Sequence, residues 1–309
     1  TVSSTGSMRI PSGPTEHRGG RGRGILGPGS AIPGPANINT MNYIEIATTA
    51  NALDFGDLSY GNAYRGGLAS STRGVIINGQ NDQTTDYTTI SSKGGGNDFG
   101  EITSDHMGGA TFNSPVTGFR AGGNDAGTPI STIIGLRIAQ TGSFYDFGDV
   151  IEAGTYWDGA SSSTRGIIFG GVTNTLSPTC NLIQYVTMTS SGNAKDFGDL
   201  ATVRKYNDTS GNSVRAMTAG GNTTPAANTN SIEYITIATT GNAADFGDLT
   251  SATALGKSGS VSTATRGCFA GFYPAELQKI DYVTLMTTGN SVDFGDITVA
   301  MAYVGGCSD

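Results

Sequence analysis

Few residues in this chain could do chemistry, and their spacing limits what they can do. There are two histidines, His17 and His106, and three cysteines, Cys180, Cys268 and Cys307. No cysteine stands in a Cys-x-x-Cys or histidine-spaced pair, so no metal site is expected. Three cysteines make no disulfide framework. A Cys268–Cys307 bridge would need the chain ends to meet, and small, partly buried thiols are the simpler expectation. Asp105 adjoins His106, but successive strand residues point to opposite faces, so Asp105 is poorly placed to orient the imidazole for a serine nucleophile. A copper oxidase centre needs more histidines than these. Sialidase-type hydrolysis needs converging arginines, a tyrosine nucleophile and paired acids near one axis, whereas the arginines here recur at one position per repeat. Asn242, Asp245 and Asp248 suggest calcium by residue type but lack the dense ligand spacing of a calcium loop. The expectation is a noncatalytic protein without a cofactor.

Nearly half of the acidic residues belong to a pattern that says more about fold than about catalysis. Asp54-Phe55-Gly56-Asp57 returns as Asp98 to Glu101, Asp146 to Asp149, Asp196 to Asp199, Asp245 to Asp248 and Asp293 to Asp296. The first aspartates lie 44, 48, 50, 49 and 48 residues apart. Such a period marks a repeat architecture. Twelve of the 25 acidic residues sit in these motifs, so much of the net charge of −8 is structural. The acidic balance still argues against nucleic acid as a partner.

Three further features recur with the motif. Eleven residues before each first aspartate stands Tyr43, Tyr87, Gly135, Tyr185, Tyr234 or Tyr282, within runs that alternate as strands do. Arg-Gly followed by a short apolar run begins at Arg23, Arg73, Arg165 and Arg266, and Arg120 and Arg215 fill the two remaining repeats more loosely. Several of these runs end in Gly-Gly, as a strand does when its end leaves at an angle closed to bulkier residues. The stretch after each motif is rich in Ala, Gly, Ser and Tyr, which suits an innermost strand near a crowded axis.

Each unit therefore holds four short strands. The 309 residues, of which 48 are glycine and 14% charged, suit many short strands and tight turns. The expected fold is all-β: a six-bladed β-propeller with four antiparallel strands per blade, spanning residues 23–309 after an arm or linker of residues 1–22. Residues 297 to 309 hold only the inner-strand feature, whose Arg-Gly partner is Arg23 to Gly27. The ring is thus expected to close by the C-terminal strand joining the N-terminal blade, leaving no open edge at the seam. No run of 18 apolar residues predicts a transmembrane helix. Thr1 follows no visible signal peptide, as in a processed product or a fragment.

The strands ending in Gly-Gly, the tyrosine-bearing strands and the aromatic of the next strand resemble the kelch class of propeller repeats, with Phe in place of the usual Trp. More narrowly, the unit Ile-(Glu/Asp)-Tyr-(Ile/Val)-Thr-x-x-Thr-Thr-Gly-Asn-x-x-Asp-Phe-Gly-Asp-(Leu/Ile), followed by Ser-Ser-Thr-Arg-Gly and Gly-Gly, resembles virion structural proteins of marine tailed phages, including cyanophages. Ile232 to Leu249 and Ser70 to Gly74 carry that likeness. It implies a tail, fibre or particle-surface component, multi-copy in the virion, contacting other virion proteins or host cell-surface polysaccharide. A pure assembly or decoration subunit is the alternative, and a secreted glycan-active enzyme a more distant one.

Binding residues are sought where the repeats differ, because loops on a rigid scaffold carry recognition. The loop between the Arg-Gly and tyrosine strands changes in every unit. Phe272 and Tyr273 are its most exposed-looking aromatics, and Tyr156 and Trp157 are candidates to face an axial channel.

Overall fold

Short alternating runs separated by glycine-bearing turns become strands, and every helix or strand among the described residues is a strand. The structure, a computed structural model, describes residues 22–31, 37–77, 79–80, 83–173, 179–223, 227–253, 259–274 and 276–308. The expected arm of residues 1–22, with His17, lies outside them apart from Gly22.

The architecture is all-β, built on antiparallel sheets. Each repeat supplies one four-stranded run in the order inner strand, Arg strand, Tyr strand, motif strand. The first run is Gly306–Ser308, Arg23–Leu26, Thr40–Glu45 and Leu53–Asp57. The second is Gly66–Ala69, Arg73–Ile77, Thr84–Thr89 and Asn97–Glu101. The third is Ala110–Asn113, Thr117–Asp125, Thr128–Arg137 and Tyr145–Asp149. The fourth is Asp158–Ser161, Arg165–Phe169, Leu182–Thr187 and Lys195–Asp199. The fifth is Asp208–Gly211, Arg215–Ala219, Ala227–Thr236 and Ala244–Thr253, extended by the short strands Arg204–Lys205 and Asn222–Thr223. The sixth is Ser260–Ser262, Arg266–Phe272, Glu276–Thr284 and Val292–Asp296. The first run joins the two chain ends, pairing Ile25 with Cys307 and Gly24 with Ser308.

The recurring residues hold each sheet to the next. The motif phenylalanines are buried and pack on the following sheet: Phe197 lies with Ala216, Ile235 and Ile237, and Phe294 with Ile44, Ile46 and Ala52. Burying one such side chain is worth roughly 1.5–3 kcal/mol. The motif glycine has a left-handed φ, +146° at Gly198, and a Cβ there would stand 2.5 Å from the Gly241 carbonyl of the next sheet. That close approach brings the Phe197 carbonyl 2.8 Å from the Gly241 N–H, while Asn242 Oδ1 accepts from the Asp199 N–H at 3.1 Å. The same Asn contact links Asp296 of the sixth sheet to Asn51 of the first, at 3.1 Å. The leading aspartate turns onto its own strand, as Asp98 Oδ1 accepts from the Gly100 N–H at 2.8 Å.

In five of the six repeats an arginine covers its own tyrosine and donates to a carbonyl of the next sheet. Arg165 lies 4.5 Å from the Tyr185 ring centroid and donates to the Ile237 carbonyl at 2.7 Å. Arg266 repeats this with Tyr282 and the Ile46 carbonyl, at 4.3 and 2.9 Å, again running from sixth sheet to first. The third sheet corrects the sequence reading. Its register places Thr117-Gly118, not Arg120-Ala121, at the Arg-Gly position. Arginine and tyrosine are lost there together, since Gly135 stands at the tyrosine position. Tyr145 fills the space, its ring 2.3 Å from where a Gly135 Cβ would be.

Candidate functional site

Several residues singled out by the sequence prove to be structural. His106 is fully buried. A carbonyl can only accept, so its Nδ1 donates to Gly122 O at 2.8 Å and its Nε2 accepts from Ser104 Oγ at 3.1 Å. Burial lowers its pKa to about 4, and Arg120 adds to the fall, so the imidazole is neutral at pH 7. Gly122 and Ser104 hold both ring nitrogens, and Asp105 holds neither. Cys268 and Cys307 form no disulfide with each other and lie in different hydrophobic clusters. Burial raises the Cys268 thiol to about 12 and Cys180 to about 11, so neither is a ready nucleophile. Asn242, of the calcium suggestion, is occupied by the Asp199 N–H, and the described residues hold no group of three His, Cys, Asp or Glu side chains placed to hold a metal ion.

The aromatic candidates separate. Phe272 is corrected from a surface residue to a core one: it is 1% exposed and packs with Phe246 and Phe269. It ends a strand whose register shifts between Ala270 and Phe272, which places Phe272 in the same cluster as Phe269, and the sequence obscured this because the following loop varies. Trp157 is also buried in a cluster, with Phe112 and Phe119, and does not line the cavity. Tyr273 is half-buried, 6.0 Å from Tyr303 by ring centroids.

That contact leads to a site the sequence reading did not assemble. Tyr64, Tyr156, Tyr206 and Tyr303 each stand ten residues after a first motif aspartate, and each begins the approach to an inner strand. All four have φ between 57° and 61°, a left-handed conformation costly for any side chain but glycine. Gly108 occupies the same position in the second repeat. The four rings meet in series. Tyr303 stacks on Tyr64 at 4.5 Å, Tyr64 lies 6.0 Å from Tyr156, and Tyr156 lies 4.3 Å from Tyr206. Burial, then the neighbouring phenols, raise the pKa of Tyr64 and Tyr206 above the ordinary range. The variable loops reach this cluster: Tyr273 touches Tyr303, and Asn62 beside Tyr64 donates to the Gln80 carbonyl at 2.8 Å.

Two residues beyond the tyrosines, the inner strands surround a cavity of about 100 Å³ lined by all six of them. Consecutive inner strands lie against one another, and Gly306–Ser308 touches both Gly66–Ala69 and Ser260–Ser262. At one shared register position stand Gly66, Ala110, Asp158, Asp208, Gly259 and Gly305, of which Gly66, Asp158, Asp208 and Gly305 line the cavity. Only the fourth and fifth sheets place a carboxylate there, side by side. Burial, then the Asp158 charge, hold the Asp208 carboxyl well above the usual carboxylate range. Arg120 is fully buried nearby, donating to the His106 carbonyl at 2.7 Å and the Tyr64 carbonyl at 3.0 Å. Tyrosine at a fixed ten-residue offset was the signal in the sequence. The acid pair had none, because its members lie 50 residues apart.

No family model matches this chain, and no curated protein sequence matches it. The functional reading therefore rests on the site and on the repeat pattern.

Proposed function

We propose that this chain is a six-bladed, kelch-like β-propeller closed by its C-terminal strand, and that it serves as a noncatalytic virion structural protein whose loop-bearing face binds host surface glycan or another virion protein. The circular arrangement is supported by the pairing of Arg23–Leu26 with Gly306–Ser308 and by the sixth-to-first contacts that repeat those between other neighbours. The virion assignment rests on the likeness of the Asp-Phe-Gly-Asp units to those of marine phage particle proteins.

One observation carries the binding reading: the loops that differ between repeats converge on a cluster of half-buried tyrosines. Tyrosine offers a rigid apolar face with a polar edge, which suits a sugar ring or a protein partner. Tyr273, kept from the sequence reading, and Tyr60, 58% exposed, stand at that face. The test is saturable binding of the labelled protein to envelope polysaccharides and whole cells of marine bacterial hosts. Binding weakened about tenfold by Tyr273→Ala or Tyr60→Ala, with unchanged melting, supports adhesion. Binding only to other particle proteins makes the chain an assembly or decoration subunit. Turnover of a glycan, abolished by one acid-to-amide change, overturns the noncatalytic reading.

A further inference from the structure

We propose that Tyr64 and Tyr303 form an oxidative cross-linking site, at which a one-electron oxidant joins the two phenols as dityrosine and fastens the C-terminal segment covalently to the rest of the chain. The two residues are 239 positions apart, yet they lead into inner strands that lie against each other. Tyr303 precedes Gly306–Ser308 of the first sheet, and Tyr64 precedes Gly66–Ala69 of the second. The backbone fixes the pair. The Tyr64 N–H donates to the Tyr303 carbonyl at 3.1 Å. Three residues on, a Cβ at Gly67 would stand 1.9 Å from the Gly306 carbonyl oxygen, so the two strands touch main chain to main chain. Both tyrosines have the same left-handed backbone conformation, with φ of 61° and 58°. Their rings stack with centroids 4.5 Å apart and planes 26° from parallel, flatter than the other tyrosine pairs of the row. Each phenol also acts on the other's hydroxyl, which places the two hydroxyl ends side by side. The carbon ortho to each hydroxyl therefore faces its counterpart across the stack.

The chemistry balances with a peroxide as the electron acceptor. Each phenol gives up one electron and its hydroxyl proton and becomes a tyrosyl radical. The two radicals join through their ortho carbons, and the hydrogen on each of those carbons moves to the oxygen, restoring both hydroxyls. Two electrons and two protons leave in all. Hydrogen peroxide takes them, through a haem peroxidase as one-electron oxidant, and becomes two water molecules. Tyr273, half-buried and 6.0 Å from Tyr303, gives the oxidising equivalent a way in from the loop-bearing face. Tyr156 and Tyr206 are as close, at 4.3 Å, but their planes stand 47° apart. A bond between Tyr64 and Tyr303 also does what no other pair of the row can: it ties down the last strand, which pairs with Arg23–Leu26 through hydrogen bonds. It closes a long loop of chain, and a long closed loop is where a cross-link restrains the unfolded state most. The bond is independent of what the loop-bearing face binds.

The experiment treats the full chain, kept dilute, with a haem peroxidase and hydrogen peroxide. The monomer fraction is read for dityrosine fluorescence and digested for mass spectrometry. A peptide carrying Tyr64 should be found joined to one carrying Tyr303, lighter than their sum by two hydrogen atoms. Tyr64→Phe and Tyr303→Phe keep the ring but cannot couple, so each should lose the fluorescence, while Tyr206→Phe should keep it. The cross-linked chain should melt about 5 °C or more above the untreated one, and oxidised Tyr64→Phe should show no such rise. Absence of the linked peptide, or a bond between Tyr156 and Tyr206 alone, overturns the proposal, as does fluorescence retained in both phenylalanine variants. A cross-link that leaves melting unchanged overturns the fastening role. The linked peptide is read on the unaltered protein, so the result holds even if a variant fails to fold.

Discussion

His106 and Asp208 are both buried titratable groups, yet they give stability opposite dependences on pH. The folded pKa of His106 lies near 4, below the ordinary 6.5. The unfolded chain therefore binds the extra proton between those values, so stability is full above pH 6.5 and is lost as pH falls toward 4. About 2.5 units corresponds to roughly 3 kcal/mol. Denaturant midpoints measured from pH 7 to 4 should fall, and His106→Gln should flatten that limb. Asp208 works the other way. Its folded pKa lies above the ordinary 3.8, so its contribution is present below that pH and declines as pH rises through the folded value. Asp208→Asn should therefore melt higher than the unaltered chain at pH 8. An equal or lower melting temperature would show that the carboxyl is stabilised as an anion.

At the scale of the element, the Asp-Phe-Gly-Asp strand is a clamp between sheets. Gly198→Ala would push a methyl group 2.5 Å from the Gly241 backbone in a left-handed conformation. It should cost about 3 kcal/mol or more, read as a lower denaturant midpoint, because neither backbone can yield cheaply. The third sheet offers a sharper test. Gly135→Tyr alone should destabilise the chain because Tyr145 fills that space. Adding Thr117→Arg and Tyr145→Lys should restore the arginine–tyrosine pair and recover most of the loss, since lysine is what the fourth sheet carries at that position, as Lys195. Additive losses in the triple variant would mean that the three positions are not coupled.

At the scale of the molecule, the proposed closure places the heaviest demand on the last strand. Gly306–Ser308 completes the first sheet, and Ser308 Oγ donates to the Ser262 carbonyl of the sixth at 2.9 Å. Deleting residues 298–309 should abolish cooperative thermal unfolding of the whole chain, because each sheet buries its faces only against two neighbours. An unchanged transition would argue that the sheets are stable without the seam.

The sequence alone determined the repeat, its four strand roles and the all-β class, because period-two alternation and a motif repeated six times are local signals. It also marked the arginines and motif phenylalanines as structural, since a residue needed at every repeat cannot be peculiar to one site. What it left open depended on register and on distance along the chain. Arg120 was misplaced because Thr117-Gly118 keeps the backbone register while losing the side chain that marks it. Phe272 read as exposed because a strand end beside a variable loop looks like the loop. Asp158 and Asp208 lie 50 residues apart, and only the contact between adjacent inner strands makes them one buried pair. The tertiary structure decided that pairing because burial and proximity, rather than sequence spacing, set the charge state of two carboxyls facing one cavity.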